Sequence, residues 1–165
     1  MEYQTQKARF SRCRKFRYTL ERSWKTGNGT VLFIGLNPST ADHHGDDPTI
    51  RRCVRFAREW GFTKLIVANL FAYRATYPED LLNAQEPVGS RNDIWIQRSY
   101  RRAQLTVACW GNHGSHIDRS THIRQQLPRL HYLKMNHSGQ PAHPLYLRAT
   151  ATPLLWQQAF GRSTN

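Results

Sequence analysis

Acidic residues and paired cysteines are both scarce in this chain, and long apolar runs are absent. Eleven Asp and Glu stand against twenty-four Lys and Arg, a formal charge of +13 over 165 residues. That balance disfavours basic partners and makes a polyanion the expected class of partner. The three cysteines, Cys13, Cys53 and Cys109, are far apart and form no CxxC pair, which argues against a zinc ribbon and a disulfide framework. Cys53 and Cys109 fall in apolar patterns and read as small core residues. No stretch approaches the ~20 apolar residues of a membrane span, and MEYQTQKARFSR lacks the apolar segment of a secretion signal. A cytoplasmic protein with no membrane partner is expected. Internal repeats and low-complexity linkers are also lacking.

What is present is enough apolar and aromatic content for one folded domain: 39% hydrophobic residues, with seven Phe, seven Tyr and five Trp. The most informative stretch is VLFIGLNPSTADHHGDDP, residues 31–48. Its apolar start reads as a strand buried on both faces, stopped by Gly35 and Pro38. A polar loop then leads to a helix opening near Pro48 and Thr49. Ile50, Cys53, Val54 and Ala57 recur at helical spacing, and Gly61 ends that helix. Lys64 to Ala68 reads as a second buried strand ending at Asn69, and this order implies a parallel pair with a right-handed crossover.

Further along, a short helix is expected at Pro78 to Asn83 within a long connection, Leu70 to Gly89. A helix capped by Ser90 or Asn92 runs to Arg102, and a third strand spans Leu105 to Trp110. A helix over Asp118 to Gln126, a fourth strand over His131 to Met135 and a terminal helix from Pro153 to Phe160 complete the pattern. Ahead of it, residues 8–24 alternate aromatic and basic side chains, which suggests a hairpin edged by Arg and Lys. The six basic residues from Lys7 to Arg17 either track phosphates or merely solvate that edge. The expectation is therefore a single α/β domain: a hairpin over 1–29, a four-stranded parallel sheet between helices over 30–148, and a C-terminal helix over 149–165.

Parallel strands would deliver Asn37, Asn69, Asn112 with His113, and the loop to His143 onto one rim, where α/β sheets build their sites. An asparagine amide both donates and accepts, so it can read a nucleobase edge. A histidine can donate to an oxyanion, and with an oriented water such a set could break an N-glycosidic bond. The cluster Asp42, His43, His44, Asp46 and Asp47 offers an alternative, a divalent metal for phosphodiester hydrolysis, although helix capping explains part of it.

These residues carry a resemblance. GLNPSTAD resembles the first motif of the uracil-DNA glycosylase superfamily, particularly the GINPG form of its mismatch-specific branch. Residues 66–76, IVANLFAYRAT, resemble the strand and TN…K-R-P segment of the iron–sulfur branch, and HPLYLR at 143–148 is similar to its HPSYLLR-like motif. Val107 to Gly111 stands where that superfamily has its third strand and glycine. The combination also resembles a bacterial family of GLNPSTAD proteins, a domain of unknown function, for which the resemblance supplies no activity.

The superfamily implies a three-layer α/β/α domain that flips a base out of DNA and hydrolyses its glycosidic bond without a cofactor. By position, Asn37 would orient water, Asn69 would read the base, and His143 would stabilise the departing base anion. Asn37 stands where the most active branch has aspartate, so slow or selective catalysis is implied, with Asp42 substituting as base. Gly35, Leu36 and Pro38 would line the base pocket. Thr49 stands where the superfamily stacks an aromatic ring, leaving Phe71 or Tyr73 to supply one. Thr40, Arg74, Gly111, Asn112, His113, Pro144 and Arg148 would meet nucleic acid, with Tyr146 and Leu147 entering the duplex. DNA is expected in preference to RNA, no bound metal is expected, and the protein is expected to act as a monomer. The competing expectations are a non-catalytic nucleic-acid-binding module of the same fold and a metal-dependent nuclease.

Overall fold

A computed structural model describes residues 2–157 of the chain. It is a mixed α/β structure built on one seven-stranded sheet, with four α-helices among the described residues. Strands β1 (Thr5–Phe10) and β2 (Arg17–Ser23) form an antiparallel hairpin, Ala8 opposite Leu20. Strand β2 continues antiparallel against β4 (Lys64–Asn69), Leu20 opposite Val67. Next comes β3 (Thr30–Gly35), parallel to β4 with Gly35 beside Asn69, and parallel to β5 (Leu105–Ala108) with Ile34 beside Ala108. The far side is thinner: β6 (His131–Tyr132) meets β5 in parallel only at Val107 and His131, and β7 (Leu154–Leu155) returns antiparallel to β6.

Alternation along β3 decides the packing, because successive strand side chains point to opposite faces. Val31 and Phe33 join a cluster with Ile50, Cys53, Val54, Phe56 and Ala57 of helix α1 (Pro48–Glu59). Leu32 and Ile34 face the other way, onto Leu81 of α2 (Pro78–Asn83), Ile96 of α3 (Asn92–Arg102) and Ile123 of α4 (Arg119–Gln126). A strand apolar at every position is thus explained by burial on both faces. Helix α1 opens on Pro48, whose missing N–H costs nothing there, and Asp47 caps it by accepting from Ile50 N at 2.9 Å.

Three expectations are corrected. Neither Ser90 nor Asn92 caps α3: Arg91 holds the cap position without a side-chain bond, and Asn92 is turned inward. The fourth strand stops at Tyr132, because the chain beyond it pairs with itself, Met135 bridging Pro141 and Ala142 N donating to Lys134 O at 2.8 Å. Where a terminal helix was expected from Pro153, Leu154 and Leu155 extend as β7; the remainder of that segment, from residue 158, lies outside the described residues. No described helix is long and apolar enough to cross a membrane.

Candidate functional site

The loop after β3 is assembled around a charge that the sequence pattern does not reveal. Arg22 of β2 is fully buried. Its Nε pairs with Asp46 at 2.9 Å, and its Nη2 donates to the carbonyls of Asp42 and Gly45. Asp46 also accepts from the Tyr3 hydroxyl at 2.5 Å. Asp42 spends its carboxylate locally, taking the N–H groups of His44 and Gly45 at 2.7 and 3.0 Å, which holds its pKa below the usual aspartate value. Asp47 turns instead to its helix. The five-residue acidic and histidine cluster is therefore dispersed, and no three such ligands converge among the described residues.

What this loop encloses is a cavity of about 150 Å³ at the carboxyl ends of β3, β4 and β5. A cavity of that size accommodates one six-membered ring. Asn37, Asn69 and His143 all line it, together with Gly35, Leu36, Pro38 and Pro144. Phe33, Ile50, Cys53 and Val67 give it apolar walls, and Cys109 and Trp110, just after β5, close it. Burial pushes the Cys109 thiol up to about 12 and the Cys53 thiol above its ordinary value, which disfavours the nucleophilic thiolate in both.

The polar groups in the cavity are differently committed. Asn37 Nδ2 donates to the carbonyls of Pro38 at 3.1 Å and Ala75 at 2.8 Å, and its amide oxygen has no protein donor among the described residues. Asn69 is buried and its Nδ2 has no acceptor among the described residues. The Asn69 carboxamide oxygen lies so close to Gly35 that a Cβ there would approach it to 2.9 Å. Asn92 supports it from behind, its amide donating to Asn69 O and Leu70 O at 2.9 and 3.0 Å, while Arg119 Nε reaches Leu70 O at 2.8 Å. His143 is half-buried. Its Nδ1 accepts from Leu145 N at 3.3 Å, which places the ring proton of the neutral imidazole on Nε2. Burial lowers its pKa, and the Asp47 charge partly opposes that shift.

Two charged residues also line the cavity, a place that the motifs did not assign to them. Arg17 of β2 lines it, buried, with Nη1 donating to Ala41 O at 2.9 Å and Nε without a partner among the described residues. Desolvation depresses this guanidinium to about 10, opposed by Asp47. Asp47 lines it too, with one oxygen on Ile50 N and the other without a protein donor among the described residues. Its capping role was legible in the sequence; its place in the cavity wall was not.

Other expected site residues lie outside this cavity. Phe71 is fully buried beside His116, and Tyr73 packs edge-on against Phe16, so neither supplies a ring to the pocket. Asp42 and Thr40 do not line it. Arg74 fastens the β1–β2 turn, its N–H donating to Lys15 O and its Nη1 to Arg14 O. Gly111, Asn112, His113, Tyr146 and Leu147 form a second depression, joined to the first through His143. Asn112 there accepts from Asn136 and Ser138, pinning the loop that carries His143. Tyr146 is 85% exposed, while Leu147 is buried and its carbonyl accepts from Arg52. Arg148 is exposed on the adjoining surface.

The family model described as protein of unknown function (DUF1643) matches residues 17–145. The chain belongs to the DUF1643 family. Nothing among the curated proteins and nothing among the solved structures matches it. The DUF1643 match opens on Arg17 and extends past His143, so every polar cavity residue described above lies inside the family's span.

Proposed function

We propose that this DUF1643 protein is a base-recognising hydrolase of nucleic acid, related in fold to the uracil-DNA glycosylases, which receives one extruded base in the cavity and cleaves its N-glycosidic bond. The observation that carries the reading is a ring-sized cavity lined by two residues whose buried donors, Asn69 Nδ2 and Arg17 Nε, have no acceptor among the described residues. An unpartnered buried donor costs about 1–3 kcal/mol, and a carbonyl-bearing heterocycle in the cavity would recover it. Parallel pairing of β4, β3 and β5, with Asn37, Asn69 and His143 at their carboxyl ends, supports the fold relationship.

In the proposed reaction Asn69 and Arg17 bind the acceptor edge of the base. The Asn37 amide oxygen orients a water, and Asp47 takes the role of base that the motif suggested for Asp42, because Asp47 lines the cavity with one oxygen lacking a protein donor among the described residues, while Asp42 is consumed by its turn. The water oxygen bonds to the sugar C1′ and its proton passes to Asp47. The glycosidic C–N bond breaks with its electron pair going to the base, whose developing charge is stabilised by the His143 Nε2–H and Arg17. Extruding the base costs a few kcal/mol, offset by cavity and phosphate contacts.

The test is release of free base, read by mass spectrometry, from single- and double-stranded oligonucleotides carrying uracil, hypoxanthine, mismatched thymine or hydroxymethylated pyrimidines. The expected result is one released base, lost by roughly 10²-fold or more in His143→Ala. Tight binding with no release across the panel would replace hydrolysis by non-catalytic recognition, the reading favoured by an amide at position 37. Strand scission without free base would point to a nuclease.

A further inference from the structure

A second, wider concavity lies elsewhere among the described residues. A groove of about 800 Å³ runs between the β1–β2 hairpin and the start of α3, lined by Arg9, Phe10, Arg12, Tyr18, Arg91 and Trp95, with no carboxylate among its lining residues. The groove borders α3, whose Ile96 packs on the opposite sheet face from the α1 residues Ile50 and Cys53 that wall the cavity. We propose that it is a second binding site, which holds a single-stranded stretch of nucleic acid flanking the base in the cavity. The inference rests on nucleic acid being the partner and is independent of whether a bond is hydrolysed.

Charge and ring chemistry select this occupant. Two guanidinium groups approach the Trp95 ring, Arg9 at 4.6 Å and Arg98 at 5.1 Å from its centroid. Two approach Phe10 likewise, Arg14 at 4.2 Å and Arg74 at 4.9 Å. Guanidinium planes and aromatic faces, alternating along a groove, provide both phosphate neutralisation and stacking surfaces for unpaired bases. A duplex keeps its base faces covered, and an acidic peptide has no use for the rings. Asp93 of α3 is engaged by Arg119 and His122, and Arg9, Arg12 and Arg91 form no ion pair among the described residues. The two sites are also connected. Arg74, beside Phe10, is bonded to the hairpin turn, and the next residue, Ala75, supplies the carbonyl that holds Asn37.

Anisotropy of a fluorescent, unmodified oligothymidine across a salt series tests this directly. Wild type should prefer the single strand to its duplex. The exposed pair Arg12→Gln with Arg91→Gln should weaken binding at least tenfold and flatten the log–log salt slope by about 1.4, from ~0.7 for each phosphate no longer neutralised. Trp95→Ala should weaken it roughly five- to a hundredfold. The charge-matched control, Arg55→Gln with Arg129→Gln on exposed surface elsewhere, should leave the slope within about 0.3 of wild type. An unchanged slope in the groove pair, an equal loss in the control, preference for the duplex, or equally effective competition by polyglutamate would each overturn the proposal. Binding is read without turnover, so absence of base release leaves this outcome intact, and unchanged binding in the groove variants leaves the hydrolase test intact.

Discussion

Replacing Asn69 by alanine separates a ligand-reading residue from an ordinary buried amide. If Asn69 were structural, its removal would cost stability. Its Nδ2 instead has no acceptor among the described residues, so the folded protein bears a desolvation penalty of about 1–3 kcal/mol that alanine abolishes. The truncation adds its space to a cavity that already exists, so no new sealed void is created. The backbone carbonyls of Asn69 and Leu70 keep their bonds to Asn92, because those do not involve the side chain of residue 69. The net expectation is a gain of roughly 1 kcal/mol, a rise in Tm of about 2–4 °C for a chain of this size. Free-base release should fall by about tenfold or more for the lost hydrogen bonds. Calorimetry and the mass-spectrometric assay on the same preparation read both arms. A drop in Tm beyond about 4 °C, or unchanged release, refutes the reasoning.

Three further outcomes follow from the geometry. Gly35→Ala places a methyl 2.9 Å from the Asn69 oxygen at a backbone conformation open to any residue, so release should fall while Tm stays within about 4 °C of wild type. Asp46→Ala strands the fully buried Arg22 guanidinium, which should cost about 3–5 kcal/mol and lower Tm by roughly 10 °C; circular dichroism melts measure it. For His143, the folded pKa lies below its ordinary value because burial disfavours the cation. The stability linked to this group is full above the ordinary histidine range and declines as pH falls through that range toward the folded value. A ring-proton NMR titration should show the depressed midpoint, and Asp47→Asn, which keeps a capping side chain, should depress it further by removing the opposing charge.

The elements with strong local signals were legible. Val31 to Ile34 and Leu65 to Ala68 are apolar without alternation because each is covered on both faces, and the third strand, expected over Leu105 to Trp110, forms over Leu105–Ala108. Helix α2 begins at the expected Pro78 and α1 at the expected Pro48. Asn37, Asn69 and His143 could be drawn together because strand ends share a rim whatever the side-chain details. Arg17 and Arg22 could not, since a buried arginine and an edge arginine look alike in sequence; what distinguishes them is that β2 lies between β1 and β4 rather than at the border. The one available signal was Arg17, Thr19 and Glu21 alternating with Phe16, Tyr18 and Leu20, a strand with two usable faces. Local propensity favours Ser90 or Asn92 as a cap, whereas Asn92 instead turns inward to donate to the carbonyls of Asn69 and Leu70 at the end of β4.

The cavity draws Arg17 from near the beginning of the chain and Pro144 from near its end, with the sheet between them. It cannot exist in any fragment or partly synthesised chain that lacks either wall. Strand β2 must wait for β4, and the His143 loop must wait for β5, so ligand competence is among the last properties the molecule acquires during folding. A ligand that fits there binds only the completed fold and shifts the whole unfolding equilibrium toward it.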